Sequence, residues 1–316
     1  MPRPHVLLVS KPAPFFLELL KAAFVVHQRL HETDPAEFLK AAPLIRGIAG
    51  SGESTVTGAL IDQLPALEMV AIMGVGYDRV DVAAAIKRGI VVTHTPNVLN
   101  DEVADLALGL ILAVARRIPQ ADHYVRSGRW AVEGAMPLAR KVSGARLGIV
   151  GLGRIGQAIA SRALAFGMSV AYTARSAKSD LPFRFFPTAL ALAAEVDFLV
   201  VITPGGAGTF HLIDAQVLKA LGPRGYLINV ARGSVVDEAA LVEALQKGAI
   251  SGAALDVFED EPRPLKALFE LDNVVLTPHM GSATRETRLA MAELAVANLL
   301  AHFSGQPPVS AVPECV

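Results

Sequence analysis

Short, continuous apolar runs recur through the first hundred residues, at 5–9, 45–49, 69–73 and 90–93, with little polar alternation inside them. Runs of that length and evenness suit parallel strands covered by helices on both faces. Helices are predicted between them over 14–24, 35–41 and 82–87, so this part reads as one α/β domain. A stiff Thr95-Pro96-Asn97 connection then leads into the segment NDEVADLALGLILAVARRIP at 100–119. Asn100 is placed to cap a helix, Asp101 and Glu102 favour its positive end, and Arg116, Arg117 and Pro119 close it. This helix is apolar nearly all round, which predicts burial between domains or subunits. A second alternating series follows, with strands predicted at 147–150, 169–173, 198–203, 226–230, 252–257 and 273–277. Right-handed crossovers would wind these into a six-stranded parallel sheet. A last helix over 284–303 is expected to return to the first domain.

The chain has 316 residues, enough for two domains with separate cores. Hydrophobic residues make up 52%, charged residues 19%, and the formal net charge is −1, so no global field draws it to nucleic acid or anionic lipid. Gly, Pro or charge interrupts every apolar run before the ~20 residues that a membrane span needs. The single cysteine, Cys315, excludes an intrachain disulfide and any cysteine-cluster metal site. The first residues lack the apolar stretch of a signal peptide, and a cytoplasmic location is the expectation.

Residues 151–156 read Gly151-Leu152-Gly153-Arg154-Ile155-Gly156, a G-x-G-x-x-G turn with a predicted strand before it and an Ala-rich helix after it. The first glycine permits the tight turn, the second admits a pyrophosphate to the backbone, and the third lets helix and sheet pack closely. Dinucleotide-binding units usually carry an acid about 20 residues on, where it holds the ribose hydroxyls. Here the place reads Tyr172-Thr173-Ala174-Arg175-Ser176, and no acid appears until Asp180. A carboxylate there would repel a 2′-phosphate. Thr173, Arg175 and Ser176, with Lys178 nearby, instead supply donors and positive charge. The reading is NADP(H) preferred, with NAD(H) possible.

The second series ends its strands with charge. Ala231-Arg232-Gly233 follows one strand, Phe258-Glu259-Asp260-Glu261 another, and Pro278-His279-Met280-Gly281 a third. Ligands of open parallel sheets lie outside the carboxyl ends of the strands. A cation, a carboxylate and an imidazole therefore project toward the edge where the cofactor belongs.

These stretches carry a resemblance. MGVGYD at 73–78, VADLALGLILAVARR, GLGRIG, LINVARGSVVDEAALVEAL, GAALDVFEDEP and NVVLTPHMGSAT together resemble the D-isomer-specific 2-hydroxyacid dehydrogenase family, and within it the hydroxypyruvate, glyoxylate and hydroxyphenylpyruvate reductases. The resemblance spans nearly the whole chain. It implies a Rossmann-type doubly wound cofactor domain at 99–286 and a flavodoxin-like α/β substrate domain at 1–98 plus 287–316.

It also implies roles. His279 would give a proton to the substrate's keto oxygen as hydride arrives. Glu261 would hydrogen-bond His279, fixing its orientation and favouring its charged form, since a free imidazole titrates near ~6.5. Arg232 would polarise the keto oxygen and bind the carboxylate. Gly74, Val75 and Gly76 would offer backbone amides to the same carboxylate, with Ser51 also on the substrate side. On the cofactor side, Leu152, Gly153, Arg154 and Ile155 would meet the pyrophosphate, and Thr203 and Pro204 the adenosine. Val230 and Arg232 would meet the nicotinamide ribose and Asp256 the carboxamide, with Ala231, His279 and Gly281 completing the contacts.

Two departures stand out. Gly205-Gly206 replaces the Leu-Thr pair usual after Pro204, and His94 stands where relatives often have Asn; it is expected to be a hinge or cleft-wall residue. The function expected is NADPH-dependent reduction of small 2-keto acids, hydroxypyruvate and glyoxylate, to D-2-hydroxy acids. No metal is implied, and a homodimer is, with the 100–119 helix at its centre and the 130–138 loop reaching a neighbouring active site. The alternatives are a reductase of aromatic keto acids such as hydroxyphenylpyruvate, or a non-catalytic nucleotide-sensing protein on the same scaffold.

Overall fold

The computed structural model describes residues 3–316. They divide into two compact units, one formed by the chain through Leu99 joined by Ala283–Val316, the other by Asn100–Ser282.

In the first unit, β1 (His5–Leu8), β2 (Val25–Gln28), β3 (Ile45–Ser51), β4 (Met69–Met73) and β5 (Val91–Thr93) form one parallel sheet. Their order, β2-β1-β3-β4-β5, is the flavodoxin-like winding. Leu7, Ile48, Val70, Ile72 and Val92 are buried in its core, as the even apolar runs require. Short polar caps start the intervening helices. Asp34 accepts from the Glu37 amide, Thr57 from Leu60 and Asp81 from Ala84. Thr284 begins the helix Arg285–Phe303 in the same way, and this helix packs against β4 and the Pro14–Ala23 helix. The pattern of apolar runs does not predict β2. It is an edge strand of four partly exposed residues, VVHQ, too short and too polar to stand out as an apolar run.

The second unit holds β6 (Arg146–Val150), β7 (Ser169–Thr173), β8 (Arg184–Phe185), β9 (Phe198–Val201), β10 (Tyr226–Asn229), β11 (Gly252–Leu255) and β12 (Val274–Leu276). The order β12-β11-β10-β9-β6-β7-β8 makes a seven-stranded parallel sheet rather than the six expected. The extra strand, β8, has two residues and pairs with Ala171 and Tyr172 of β7. Counted within the unit this is the Rossmann winding, and its order reverses between β6 and β9, where a crevice opens for a ligand. β9, β11 and β12 end one to two residues earlier than their apolar runs, and the remainder enters the loops at that crevice edge.

The Asn100–Arg116 helix packs inside this unit, against β10, β11, β12 and the Arg154–Ala165 helix, with Val103, Ala104, Ala107, Leu108, Leu110 and Ile111 buried. Arg162 ties the two helices through Asp101 and Asp105. Pro119 does not close the helix as expected. Arg117, in the left-handed region at φ 54°, breaks the chain direction, and Pro119 sits in the first turn of a new helix, Ile118–Arg126, where its missing N–H is harmless.

Where β1 meets β2, the His5 Nδ1 and His27 Nε2 atoms lie 3.0 Å apart and share a hydrogen bond. Burial lowers the His27 pKa from 6.5, the His5 charge lowers it further, and Glu37 opposes both. The unfolded chain therefore binds this proton at higher pH than the folded chain, so stability falls as pH drops through and below ~6.5. Urea unfolding should show a lower midpoint at about pH 5.5 than at about pH 7.5. The gap should narrow in His27→Gln, and a gap of unchanged size in that variant would refute the assignment.

Candidate active site

The phosphate turn lies at the switch point of the second sheet. Val150 is in register with Thr173 of β7 and Val201 of β9, so the turn that follows emerges between them. Gly151 sits at φ 102°, and a Cβ there would lie 2.7 Å from the Ile202 carbonyl oxygen. A Cβ on Gly156 would lie 2.2 Å from the Gly151 oxygen, which closes off every residue but glycine. Gly153 is the opposite case: nothing lies within 4 Å of its absent Cβ. It begins the Arg154–Ala165 helix, and no side chain caps that end. Open space in front of uncapped helix amides fits a pyrophosphate.

Beyond β7, Thr173 is buried at 7% exposure, while Arg175 and Ser176 are exposed. Arg175 has no ion pair among the described residues. The buried Tyr172 hydroxyl accepts from the Lys178 amide at 2.6 Å, tying down the loop that presents Arg175. After β9, Thr203 and Pro204 lead into the glycine-rich departure, where the Thr209 hydroxyl donates to the Pro204 carbonyl at 2.7 Å.

The turn after β10 is shaped by Asn229. Its side chain accepts from the Ala231 amide at 3.1 Å and donates to the Arg232 carbonyl at 3.0 Å, fixing Val230, Ala231 and Arg232 along the edge. Asp256, 2% exposed after β11, does the same for the turn after β12. One oxygen accepts from the Thr277 hydroxyl at 2.6 Å and the Met280 amide at 2.8 Å, and the other from the Gly281 amide at 2.8 Å. Burial raises the Asp256 pKa, with these donors and the His279 charge opposing it. His279 adopts φ 50°, a left-handed conformation that costs a non-glycine residue about 1–3 kcal/mol unless its surroundings hold it.

His279 Nδ1 donates to Glu261 Oε2 at 2.7 Å, and the other Glu261 oxygen accepts from the Phe258 amide at 2.9 Å. Burial works to raise the Glu261 pKa, but the His279 bond and charge, the Phe258 amide and the Arg232 guanidinium prevail and lower it. Glu261 is therefore an ionised acceptor, and the ring nitrogen that faces it is the donor. Such an imidazole can give a proton through Nε2 to an oxygen and take one back.

In the first unit, Ser51 ends β3 and lines a cavity of about 240 Å³ with Lys11, Phe16, Met73 and Arg288. A Cβ on Gly74 would lie 2.9 Å from Gly52 Cα, so these two backbones touch. The Gly74 amide donates to the Ile72 carbonyl at 3.1 Å. Of the three amides expected to face a carboxylate, those of Val75 and Gly76 have no acceptor among the described residues.

Residues 108–281 match the NAD binding domain of the D-isomer specific 2-hydroxyacid dehydrogenases. The chain belongs to this family. It is 50% identical over 262 residues to a glyoxylate/hydroxypyruvate reductase A of Arabidopsis thaliana, covering 83% of each chain. It is equally 50% identical over 283 residues to a hydroxyphenylpyruvate reductase of Plectranthus scutellarioides, covering 89% of this chain and 90% of the other. The structure is similar to that of an NADPH-dependent glyoxylate/hydroxypyruvate reductase of Sinorhizobium meliloti in complex with NADP and malonate. The TM-score is 0.93 and the identity 48%, over 99% of this chain and 98% of the other.

Three residues to which the sequence assigns no role, Glu238, His211 and Gly233, brace this sheet edge. Glu238, 4% exposed, accepts from the Glu259 amide at 2.7 Å. His211 Nε2 bonds the Glu259 carboxylate at 2.6 Å. A Cβ on Gly233 would fall 1.8 Å from the Phe258 carbonyl carbon, so the loop that carries Glu261 rests directly on this glycine. Gly233 adjoins Arg232 and could have been suspected from that. Nothing local marks Glu238 or His211, whose partner is about 20 residues or more away in the chain.

Asp256→Asn should lower the stability of this dehydrogenase by about 1–3 kcal/mol, because an amide NH2 would face a backbone N–H on one side. Chemical unfolding of the variant against the parent measures it. An Asn variant as stable as the parent would mean that the Asp256 carboxylate does not shape the 277–281 turn.

Proposed function

We propose that this dehydrogenase is an NADPH-preferring reductase of small 2-keto acids, glyoxylate and hydroxypyruvate, yielding D-2-hydroxy acids. The observation that carries the reading is the His279–Glu261 pair, held on the same sheet edge as Arg232 and the phosphate turn. The Arabidopsis and Sinorhizobium relatives, named for these two substrates, support it.

The open helix start at Gly153, Arg154 and Ile155 would hold the pyrophosphate, with Gly151, Leu152 and Gly156 forming the turn. Arg175 and Ser176 would pair with a 2′-phosphate, while Thr173, buried, would support the loop rather than bind. Thr203 and Pro204 would border the adenosine, and Val230, Ala231, Asp256 and Gly281 the nicotinamide end. When bound, the reduced nicotinamide supplies a hydride to the keto carbon. His279 transfers the Nε2 proton to the keto oxygen, completing the hydroxyl. Glu261 keeps the ring oriented and faces the charge that His279 carries before the transfer. Arg232 draws electron density onto the keto oxygen and pairs with the carboxylate, as the Val75 and Gly76 amides would. Ser51 would border the remainder of the substrate.

A second reading, reduction of aromatic keto acids, draws on the Plectranthus relative, which is no less similar. NADPH oxidation with glyoxylate, hydroxypyruvate and hydroxyphenylpyruvate, measured side by side, separates the two. The small substrates should show the higher kcat/KM, and the reverse ranking would favour the aromatic reading. The proposal extends to a homodimer, supported by exposed apolar side chains at Ile118, Val125, Trp130, Val132 and Leu138. The cytoplasm is the proposed location, which the single cysteine favours; among the described residues no helix is long and apolar enough to cross a membrane.

His279→Ala should lower kcat/KM by roughly 10²–10⁴-fold while leaving NADPH affinity, read by fluorescence titration, nearly unchanged. Parental turnover in that variant would remove His279 as the acid. Arg175→Asp should erode the NADPH-over-NADH preference by at least roughly tenfold, the loss of one charge-assisted hydrogen bond. An unaltered coenzyme ratio would take Arg175 out of the cofactor site.

A further inference from the structure

The 74–76 turn leaves β4 with its two available amides side by side, and the structure shows what turns them outward. The Thr95 amide donates to the Gly74 carbonyl at 2.8 Å. The His94 ring reaches the next carbonyl, with Nδ1 3.0 Å from the Val75 oxygen. A carbonyl oxygen can only accept, so Nδ1 carries the hydrogen in this bond. A trans peptide is planar, and its C=O and N–H point in opposite directions. Pinning the Gly74 carbonyl therefore aims the Val75 N–H the other way, and pinning the Val75 carbonyl does the same for the Gly76 N–H.

The clamp is itself anchored. The His94 amide donates to the Ser310 carbonyl at 3.2 Å, and its carbonyl accepts from the Ser310 hydroxyl at 2.7 Å. Asn298, fully buried, holds Ser310 by its amide and its hydroxyl, each at 2.9 Å. The Tyr77 ring meets the His94 ring edge-on, 5.4 Å between centroids at 88°, and the Tyr77 hydroxyl donates to Glu314 at 2.9 Å. Burial, then the Glu314 bond and charge, push the Tyr77 pKa to about 12, so that phenol remains a donor.

We propose that His94 is a positioning residue for substrate: by holding the Val75 carbonyl, it presets the Gly76 amide beside the Val75 amide, which the Thr95–Gly74 bond sets, and the two form a two-donor cradle for the carboxylate of the 2-keto acid. This rests on the proposed function for what fills the cradle. It goes beyond the expected hinge role, because the side chain itself determines where the Gly76 amide points. An imidazole does at this place what a shorter amide side chain could also do, provided it donates.

The test separates the donor from the ring. His94→Phe keeps an aromatic ring against Tyr77 and removes the donor, and His94→Asn removes the ring and keeps a donor. His94→Phe should raise KM for glyoxylate and hydroxypyruvate roughly tenfold or more with little change in kcat or in NADPH affinity, and His94→Asn should recover much of that loss. Equal KM in His94→Phe and the parent, or equal damage in both variants, would overturn the proposal. Should the variants fold poorly, the parent protein loaded with NADP⁺ and labelled with ¹⁵N can be titrated with oxalate. The Val75 and Gly76 amide resonances should both shift, and silence of both while oxalate inhibits would also overturn it. Amides that respond in a protein that reduces no 2-keto acid would instead sink the proposed function and leave the cradle standing.

Discussion

The hydrogen bond from the His279 ring to the Glu261 carboxylate is the constraint around which the second unit's sheet edge is organised. It joins loops that leave two neighbouring strands, β11 and β12, and neither loop would hold its shape unaided. His279 sits in a backbone conformation that a side chain disfavours, and its amide donates to the Asp256 carbonyl at 2.8 Å. Asp256 then engages both of its carboxylate oxygens with the same turn. Glu261 is held from the other direction, by a loop resting on Gly233 and tied to Glu238 and His211. Glu238, Glu259, Asp260 and Glu261 lie close together at this edge. Burial and the charges of Glu259, Glu261 and Asp260 raise the Glu238 pKa, opposed by the Glu259 amide, whereas Glu261, bonded to His279 and facing Arg232, moves down. Their surroundings move these two carboxylates in opposite directions, and the one that moves down is the one beside the imidazole.

The two units solve the placement of a ligand by the same physics. Parallel strands all end at one edge, helix starts gather there, and a reversal of winding order leaves room between two loops. In the second unit the reversal falls between β6 and β9, and Gly151 occupies it because the β9 exit passes too close for any side chain. In the first unit it falls between β1 and β3, where Ser51 borders a cavity floored by Phe16 and Met73 and carrying Lys11 and Arg288. Backbone amides are the recognition groups on both sheets. At Gly153 a helix start supplies them, and at Val75 and Gly76 two pinned carbonyls do.

Much of this was legible in the chain because the signals are local. Even apolar runs mark buried parallel strands, glycine spacing marks the phosphate turn, and charge directly after a strand marks the carboxyl edge. What stayed hidden depended on distant partners. β2 and β8 exist through pairing rather than through their own composition, so neither VVHQ nor Arg184-Phe185 stands out. Pro119 reads as a stop, but the left-handed Arg117 ends the helix first and leaves the proline to open another. The removal of Gly74 from the set of free amides follows from a bond two residues back to Ile72, which no pattern of residue types encodes. Thr173 is a polar residue in the right place, yet the sheet buries it, and Arg175 and Ser176 are the groups left in solvent.

The most direct test of the central claim is a crystal structure of the protein with NADPH and oxamate, an unreactive amide isostere of glyoxylate. His279 Nε2 and the Arg232 guanidinium should both lie within about 3.2 Å of the oxamate amide oxygen, while Nδ1 retains its bond to Glu261. An oxamate oxygen turned away from both groups, or a His279 ring that has left Glu261 in the occupied complex, would contradict it.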